Sequence, residues 1–359
     1  MKTFFDIVKE PGYRNYVMEK LARISEDPKY HFPMKFPLLY RYTRIAPYSV
    51  DDIINNRITA TSIGEFNDLF DGAVHRYGSE EEQLTAAKQR WSEIDHHWQA
   101  ARLPEGVLKE ADYITSYKKY FKNEARSGFN LLDYLGTYVC CFSEESSSTL
   151  MWAHYADANK GMCIMYDFNK WDISVLLKHL LFPVAYSKQP IELVDLLEDR
   201  QNKLCQYPVD TAVLCAALNK ALVWKYEHEW RMIFVMAANN DHSQRLPLRI
   251  HLKPVSICFG YHFLKPFFYW DFKNKPEREV CERNIKNIKH LINYMVEQNI
   301  SAAIMWPNIG SYDLQPKQIA SSRLLKFMDN HFGNDEAESM RYYRTLHDYL
   351  DDYVGDSFS

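Results

Sequence analysis

The chain has 359 residues, of which 47% are hydrophobic and 15% aromatic. That is enough apolar material for one large packed core or for two smaller ones. Lysine and arginine number 43 against 47 aspartate and glutamate residues, a formal net charge of -4. No general positive field would therefore attract nucleic acid. No apolar run approaches the roughly 18 residues of a membrane helix, and the first residues contain no signal-peptide apolar region. We expect a cytoplasmic protein with no membrane partner.

Cysteine and glycine usage excludes two further classes of protein. The seven cysteines are odd in number, have no C-x-x-C spacing and lie in apolar runs, which predicts buried free thiols in a reducing compartment. The chain has only 12 glycines. It contains neither a G-x-G-x-x-G dinucleotide fingerprint nor a Walker phosphate loop.

The first segment predicts a helical lead-in followed by a strand with an arginine inside it. A helix is expected from Tyr16 to Ile24, and an aromatic and aliphatic strand from Phe36 to Thr43. Arg41 lies in the middle of that strand. An arginine in a strand is usually exposed, but in a central strand the guanidinium must be paired or hold an anion. Ser49 is expected to cap a short helix from Val50 to Asn56.

A second short strand and a polar loop follow. The strand is predicted from Arg57 to Ser62, and the loop spans residues 65–72. Asn67 and Asp68 in this loop either make turns through their own side chains or bind a ligand. Residues from about 76 to 130 are polar with a helical apolar stripe, which indicates an inserted helical subdomain.

The core resumes with a strand, a short helix and another strand. They are expected at Thr137–Ser143, Thr149–Ala156 and Met162–Asp167. Trp152 and Tyr155, three positions apart, share one face of the helix. Aromatic residues at this spacing are mostly packed, although Tyr155 could stack on a flat ligand. His154 is a surface or hydrogen-bonded histidine unless another group converges on it.

The segment Trp224–Val235 carries a Glu-x-Glu sequence before an apolar run that predicts a buried strand. Residues two apart on a strand point to the same face, so Glu227 and Glu229 are expected to lie close together. Two like charges raise one pKa, an arrangement common in acid–base sites. The alternative is that both carboxylates are solvated or paired with Lys225 and Arg231.

The last hundred residues change in character. They predict an amphipathic helix over Glu277–Gln298, a strand over Ile300–Trp306, and helices over Lys317–Asp329 and Asp335–Asp352. We predict an α+β fold with a mixed, largely antiparallel sheet. Its domains are a helical lead-in over residues 1–35, a core over 36–262 that contains the insertion at about 76–130, and a helix-rich C-terminal region over 263–359.

Three segments resemble a bacterial protein family of unknown function, DUF2971. The family's Leu-Tyr-Arg-Tyr and Phe-Asn-Asp-Pro-Phe-Asp runs are similar to residues 39–42 and 66–71, with Leu69 in place of the proline. Its Met-Trp-x-His-Tyr-Ala run resembles residues 151–156, with Asn159 where a histidine is usual. Its Tyr-Glu-x-Glu-Trp-Arg run resembles residues 226–231. The resemblance spans about residues 38–262.

A remoter resemblance is to ADP-ribosyltransferases of the Arg-Ser-Glu type. They carry an arginine, a hydroxyl-rich strand and a Glu-x-Glu in the order of Arg41, the run ending at Ser62, and Glu227 with Glu229. The resemblance implies that Arg41 binds the pyrophosphate or ribose of NAD. It also implies that a glutamate stabilises oxocarbenium character while the nicotinamide–ribose bond breaks, and that Glu227 handles the nucleophile as a base. Tyr155 would stack on nicotinamide. A toxin or phage-defence effector is the implied biological role.

Two other hypotheses about the function remain open. In the first, a non-catalytic module of a defence system senses a nucleotide or another small ligand, and Trp152, His154 and Trp230 line the pocket. In the second, a metal-dependent hydrolase or nuclease uses four acidic and imidazole side chains, with Asn67 as a further Mg²⁺ ligand: Asp68, Asp71, His154 and Glu227. A Cys141–His154 nucleophilic pair is disfavoured, because Cys141 lies in a core strand.

The resemblance thus implies one pocket for a nucleotide-type small molecule, with NAD as the expected substrate, and we expect no resident metal. The macromolecular acceptor is not identified by any motif. For this pocket to exist, Arg41 and Glu229 must lie on the same face of the sheet. The predicted catalytic and binding residues are Arg41, Ser62, Asn67, Asp68, Trp152, His154, Tyr155, Glu227, Glu229 and Arg231.

Overall fold

The structure is a computed structural model of the chain. It describes residues 8–10, 12–25, 35–68, 70–72, 74–75, 136–170, 180–188, 191–192, 214–235, 246–248, 253–264, 275–308 and 310–331, with isolated positions between 84 and 115. The predicted helical insertion and the predicted helix over Asp335–Asp352 lie outside these ranges. None of the helices within them combines the length and the apolar character that a bilayer crossing requires.

Helices and strands alternate through the described residues, so the predicted α+β class is confirmed. The helices are α1 (Tyr13–Ile24), α2 (Pro47–Ile54), α3 (Thr149–Tyr155), α4 (Lys275–Glu297) and α5 (Ser321–His331). The strands are β1 (Leu39–Thr43), β2 (Ile58–Ser62), β3 (Val74–His75), β4 (Thr137–Ser143), β5 (Met162–Tyr166), β6 (Leu181–Pro183), β7 (Ala185–Ser187), β8 (Ile191–Glu192), β9 (Asn219–Ala221), β10 (Glu229–Val235), β11 (Leu246–Leu248), β12 (Ser256–Phe259), β13 (Ser301–Pro307) and β14 (Leu314–Ile319).

One large sheet organises the fold. Its strand order is β11-β2-β4-β1-β5-β12-β13-β14; in addition, β10 pairs with β4, and β6 pairs with β10. Every pair in it is antiparallel except β12 with β13. The sheet is therefore mixed and largely antiparallel, as predicted, and it continues past residue 262 through β13 and β14.

Strand β4 sits at a fork in this sheet. Its seven residues all pair with β10 on one edge. The other edge is shared, because β2 pairs with Val139 and Tyr138 while β1 pairs with Ser143. β1 and β2 therefore diverge from β4 at its two ends, and the space between them is closed by side chains instead of strand pairing.

Both faces of the sheet are covered, as a central sheet with apolar residues at successive positions requires. The main core contains Leu39, Phe142, Tyr166 and Trp230, together with residues of α2 and α4. A smaller core on the other face contains Trp152 and Cys163. The described cysteines are free thiols, three of them buried, which agrees with the sequence prediction.

Two predicted helix boundaries are wrong for physical reasons. The helix expected at Val50 begins at Pro47, and Ser49 lies inside its first turn, where its hydroxyl accepts a hydrogen bond from the Ala46 amide at 3.0 Å. Proline suits the first turn because its missing N–H has no partner there anyway. The helix expected from Lys317 starts only at Ser321, because β14 extends to Ile319 and pairs with β13.

Close backbone contacts fix the C-terminal end of α3 on the sheet. The Gly161 amide donates to the Ala156 carbonyl at 2.7 Å, and the Gly260 amide donates to the Gly161 carbonyl at 2.8 Å. A Cβ atom on Gly161 would lie 2.3 Å from the Thr43 carbonyl oxygen, and one on Gly260 would lie 2.2 Å from that of Asn159. Only glycine fits at these two positions, and they determine where α3 presents its side chains.

Replacing either glycine by alanine should therefore destabilise the protein. The obstructing atoms belong to the backbone, so relief requires α3 to move away from the sheet. We expect Gly161→Ala and Gly260→Ala each to lower the free energy of unfolding by at least about 2 kcal/mol in urea denaturation. Ala153→Ser, an exposed change on α3, is the control and should stay within about 0.5 kcal/mol. Unchanged stability of both glycine variants would contradict the close packing.

Candidate functional site

Arg231 is the centre of a buried ionic cluster. Its side chain is fully buried, and all five of its N–H donors have acceptors. Nε donates to Glu229 at 2.8 Å, and Nη2 donates to Glu229 at 3.0 Å and to Asp71 at 2.6 Å. Nη1 donates to Asp71 and to the Ala217 carbonyl, each at 2.6 Å. The planar fork of arginine suits this arrangement, and lysine could not reproduce it.

Lys220 is the second cation of the cluster. Its Nζ lies 2.5 Å from Glu227, 3.0 Å from Glu229 and 3.8 Å from Asp71. The side chain is only 5% exposed. Burial acts to lower the pKa of Lys220, but the three nearby carboxylates outweigh it and raise that pKa above its ordinary value. Lys220 therefore stays charged and joins β9 to the acidic groups.

Glu229 is held ionised. Burial acts to raise the pKa of its carboxyl, but Arg231 and Lys220 outweigh burial and hold that pKa well below its usual range. The carboxyl oxygens accept three charge-assisted hydrogen bonds, and its backbone amide donates to the Tyr186 hydroxyl at 2.8 Å. No oxygen of Glu229 remains turned to solvent for a ligand.

Glu227 has the opposite character. Burial, and then the neighbouring Glu229 charge, raise the pKa of the Glu227 carboxyl above its ordinary value despite the contact with Lys220. Its Oε1 atom accepts a 2.6 Å hydrogen bond from the half-buried Tyr155 hydroxyl. The exposed Asn67 side chain lies near the same hydroxyl. Asn67 and Tyr155 thus connect Glu227 to the surface.

The charges of the cluster do not balance when every acid is ionised. Among the residues that the structure describes, two cations, Lys220 and Arg231, face three carboxylates, those of Asp71, Glu227 and Glu229. Burial raises the pKa of the neighbouring Tyr155 and Tyr186 hydroxyls, so both are neutral. A proton on Glu227 would make the cluster neutral, which accounts for the opposite pKa shifts of the two glutamates.

The expectation that Glu227 and Glu229 share one strand is wrong. Glu227 ends a 3-10 helix, Leu222–Glu227, and β10 starts at Glu229. Between them His228 adopts a left-handed conformation with φ of 43°. The two carboxylates still converge, because this turn aims both at Lys220.

Arg41 and Ser62 are not part of this cluster. Tyr40 pairs with Ser143, and Ser143 pairs with Glu229, so these three side chains share one face. Arg41, the next residue of β1, therefore faces the other way. By the same register Ser62 pairs with Tyr138, on the face opposite Glu229. The single pocket that required Arg41 beside Glu229 is not formed.

Trp152 and His154 also lie outside the predicted pocket. Trp152 is fully buried, donates from Nε1 to the Ser146 carbonyl at 2.8 Å and packs edge-on against Tyr42. His154 is exposed, and its ring centroid lies 6.3 Å from that of Tyr155. Trp230, which a sensing module would have used as a pocket wall, is buried in the main core.

The structure brings together five of the ten predicted residues, and Asp68 adjoins them. The Asp68 Oδ1 atom accepts from the Phe70 amide at 3.0 Å, while Oδ2 is buried without a hydrogen-bond partner among the described residues. The five are Asn67, Tyr155, Glu227, Glu229 and Arg231.

The sequence analysis did not identify Lys220 or Tyr186 as site residues. It named Asp71 only in the hypothesis of a metal-dependent hydrolase. Asp71 had a signal, since it ends the Phe-Asn-Asp-x-Phe-Asp segment beside Asn67 and Asp68. Lys220 stands at the end of an apolar helical stretch, where a lysine predicts exposure. No set of three or more described His, Cys, Asp and Glu side chains has a geometry that could hold a metal ion.

Comparison with known proteins bears on part of the chain. Residues 151–232 match the model of a protein family of unknown function, DUF2971, which confirms the predicted family resemblance for that segment. The segment contains most of α3, Lys220 and the Glu-x-Glu. No curated protein and no solved structure matches the chain.

The two glutamates should respond differently to neutralisation. Glu229→Gln removes a partner of both buried cations, so we expect a loss of about 3 kcal/mol in the free energy of unfolding at pH 7. Glu227→Gln leaves two carboxylates for two cations, so stability should be unchanged or higher. Urea denaturation measures both. An equal loss in the two variants would contradict the charge balance.

The same pair predicts a pH dependence. The pKa of Glu229 is lowered by folding, so its contribution is present above the ordinary glutamate pKa of 4.5 and is lost as the pH falls below it. The pKa of Glu227 is raised, so its ionisation opposes folding at neutral pH and ceases to do so once it is protonated. Any advantage of Glu227→Gln over the wild type should therefore be largest at pH 7 and shrink towards pH 4. An advantage that grows in acid would contradict these signs.

Proposed function

We propose that the chain binds a nucleotide-type small molecule over Tyr155 and breaks a glycosidic bond in it, with the nicotinamide–ribose bond of NAD as the expected target. The observation that carries the proposal is the 2.6 Å hydrogen bond from Tyr155 to Glu227 beneath the exposed Asn67. It connects a carboxyl group with a raised pKa to a half-buried surface position. Carboxyl groups of this kind perform acid–base work in glycoside chemistry.

In this proposal the roles differ from those that the resemblance implied. Glu227 is the acid–base group, because its pKa is raised and one of its oxygens contacts Tyr155. Tyr155 relays the proton of the attacking water or acceptor to Glu227. Glu229, with its oxygens occupied by Arg231 and Lys220, is a positioning residue.

Polar groups around Tyr155 suit the sugar part of such a ligand. Asn67 is exposed beside the Tyr155 hydroxyl. The unpartnered Asp68 Oδ2 is a hydrogen-bond acceptor, and ribose hydroxyls are donors. A cytoplasmic location fits an NAD-consuming reaction, and we include it in the proposal.

Nicotinamide release from NAD tests this proposal. We expect Glu227→Gln to lower kcat by at least about 100-fold, as the loss of a general base does. Tyr155→Phe, which loses only the hydroxyl, should lower kcat by about tenfold or more with little change in KM. The acidic limb of the wild-type pH profile should report a carboxyl pKa above 4.5.

Two controls accompany this assay. Leu150→Ala removes an exposed side chain from α3 and should leave release within about twofold of wild type. A chelator should have no effect, whereas the hydrolase reading requires a loss. Binding of NAD without release of nicotinamide would favour the hypothesis of a non-catalytic sensing module. The observation that supports that hypothesis is the Asp68 Oδ2 atom, which has no hydrogen-bond partner among the described residues. No binding and no release would overturn both.

A further inference from the structure

A second polar site lies at the fork of the sheet, away from the ionic cluster. A cavity of about 190 Å³ opens between β1, β2 and α2. Ile164 and Tyr166 of β5 contribute to its lining. Its polar lining residues are Arg41, Thr43, Asp52, Arg57, Thr59 and Thr61. All of them belong to segments that the structure describes.

Arg41 is the unusual group of this cavity. Its Nη2 atom donates to the Thr59 carbonyl at 2.9 Å, and this bond crosses from β1 to β2. Its Nη1 atom is buried and has no hydrogen-bond partner among the described residues. A buried guanidinium nitrogen without an acceptor is costly. The cavity supplies space for an acceptor that the neighbouring side chains do not provide.

The other charges around the cavity are already paired. Arg57 forms ion pairs with Asp51 and with Asp52, although its buried Nε atom has no hydrogen-bond partner among the described residues. The Asp52 carboxylate also accepts the Thr59 hydroxyl at 2.6 Å. Asp51 is 58% exposed, so solvent screens its charge. Within the described residues Arg41 has no acidic side chain in ion-pair contact.

Neutral groups complete the surroundings of Arg41. Burial raises the pKa of the Cys140 thiol to about 11, and it also raises the pKa of the Tyr166 hydroxyl. Neither can supply a negative charge at neutral pH. Thr43, on the same face of β1 as Arg41, also lines the cavity, and its hydroxyl makes a long 3.4 Å bond to the Arg44 carbonyl.

We propose that this cavity binds a small oxoanion of phosphate size, with Arg41 as the anchor and the hydroxyl of Thr43 as a further donor. Arginine and hydroxyl groups are the usual donors to phosphate oxygens. The volume is below the roughly 300–1,000 Å³ of sites for drug-sized ligands, so the cavity takes a phosphate group and not a whole dinucleotide. This site is independent of the proposed reaction at Glu227, which lies on the other face.

Calorimetric titration with inorganic phosphate in a chloride-free, low-salt buffer tests the assignment. We expect saturable binding to one site and a higher melting temperature with phosphate. Arg41→Gln should weaken binding at least tenfold, because it removes the anchor charge. Ribose 5-phosphate is titrated in parallel: equal affinity identifies free phosphate as the ligand, and at least tenfold tighter binding identifies a phosphate group of a larger molecule.

The matched control is Arg44→Gln, which removes the same charge from an exposed arginine just beyond β1 and should stay within twofold of wild type. Arg41 also ties β1 to β2, so Arg41→Gln could fail to fold. In that case Thr43→Val decides, with an expected loss of threefold or more. The proposal is overturned if the wild type shows no saturable binding, if Arg41→Gln keeps wild-type affinity, or if Arg44→Gln and Arg41→Gln lose affinity equally. Where Arg41→Gln does not fold, wild-type affinity in Thr43→Val overturns it.

Discussion

The bidentate contact between Arg231 and Asp71 is the interaction on which the site depends. It joins β10 to the end of the 66–71 loop, two parts of the chain separated by 160 positions. Because Asp71 is fixed, Asn67 is brought beside Tyr155, and Tyr155 reaches Glu227. Removing one partner of such a buried pair leaves an uncompensated charge, which is far costlier than removing an exposed one.

The cluster has one carboxylate more than it has cations, and this distinguishes it from a purely structural ionic network. A network with equal numbers of buried anions and cations needs no proton to be neutral. Here Asp71 and Glu229 satisfy Arg231 and Lys220, and Glu227 is the additional acid. Its carboxyl is also the one that contacts a half-buried hydroxyl near the surface. The same unequal charge therefore explains both the opposite pKa shifts and the choice of Glu227 as the acid–base group.

The local elements were largely predictable, and so were five members of the site. Hydrophobic patterning found β1, β4, β10 and β13, and the Glu-x-Glu with its following arginine marked Glu227, Glu229 and Arg231. The face of Arg41 was not predictable. It depends on the register of Tyr40 with Ser143 and of Ser143 with Glu229, two pairings between distant segments that no local pattern contains.

Lys220 and Arg41 show why buried polar residues resist sequence reasoning. A lysine after an apolar stretch predicts a solvent-exposed end, yet Lys220 is buried because three carboxylates from two other segments surround it. Arg41 was expected to be paired or to hold an anion, and the structure leaves one of its nitrogens without a partner at a cavity. The chemistry of the residue was predictable, but its neighbours were not.

Of the acids in the cluster, Glu227 should take up a proton most readily, and side-chain carboxyl NMR of ¹³C-glutamate-labelled protein measures this. Spectra recorded across pH, with Glu227→Gln to assign the resonance, give the pKa of each carboxyl. We expect the resonance that is missing from the Glu227→Gln spectrum to titrate above 4.5 in the wild type. A Glu227 carboxyl that titrates at or below 4.5 would contradict it.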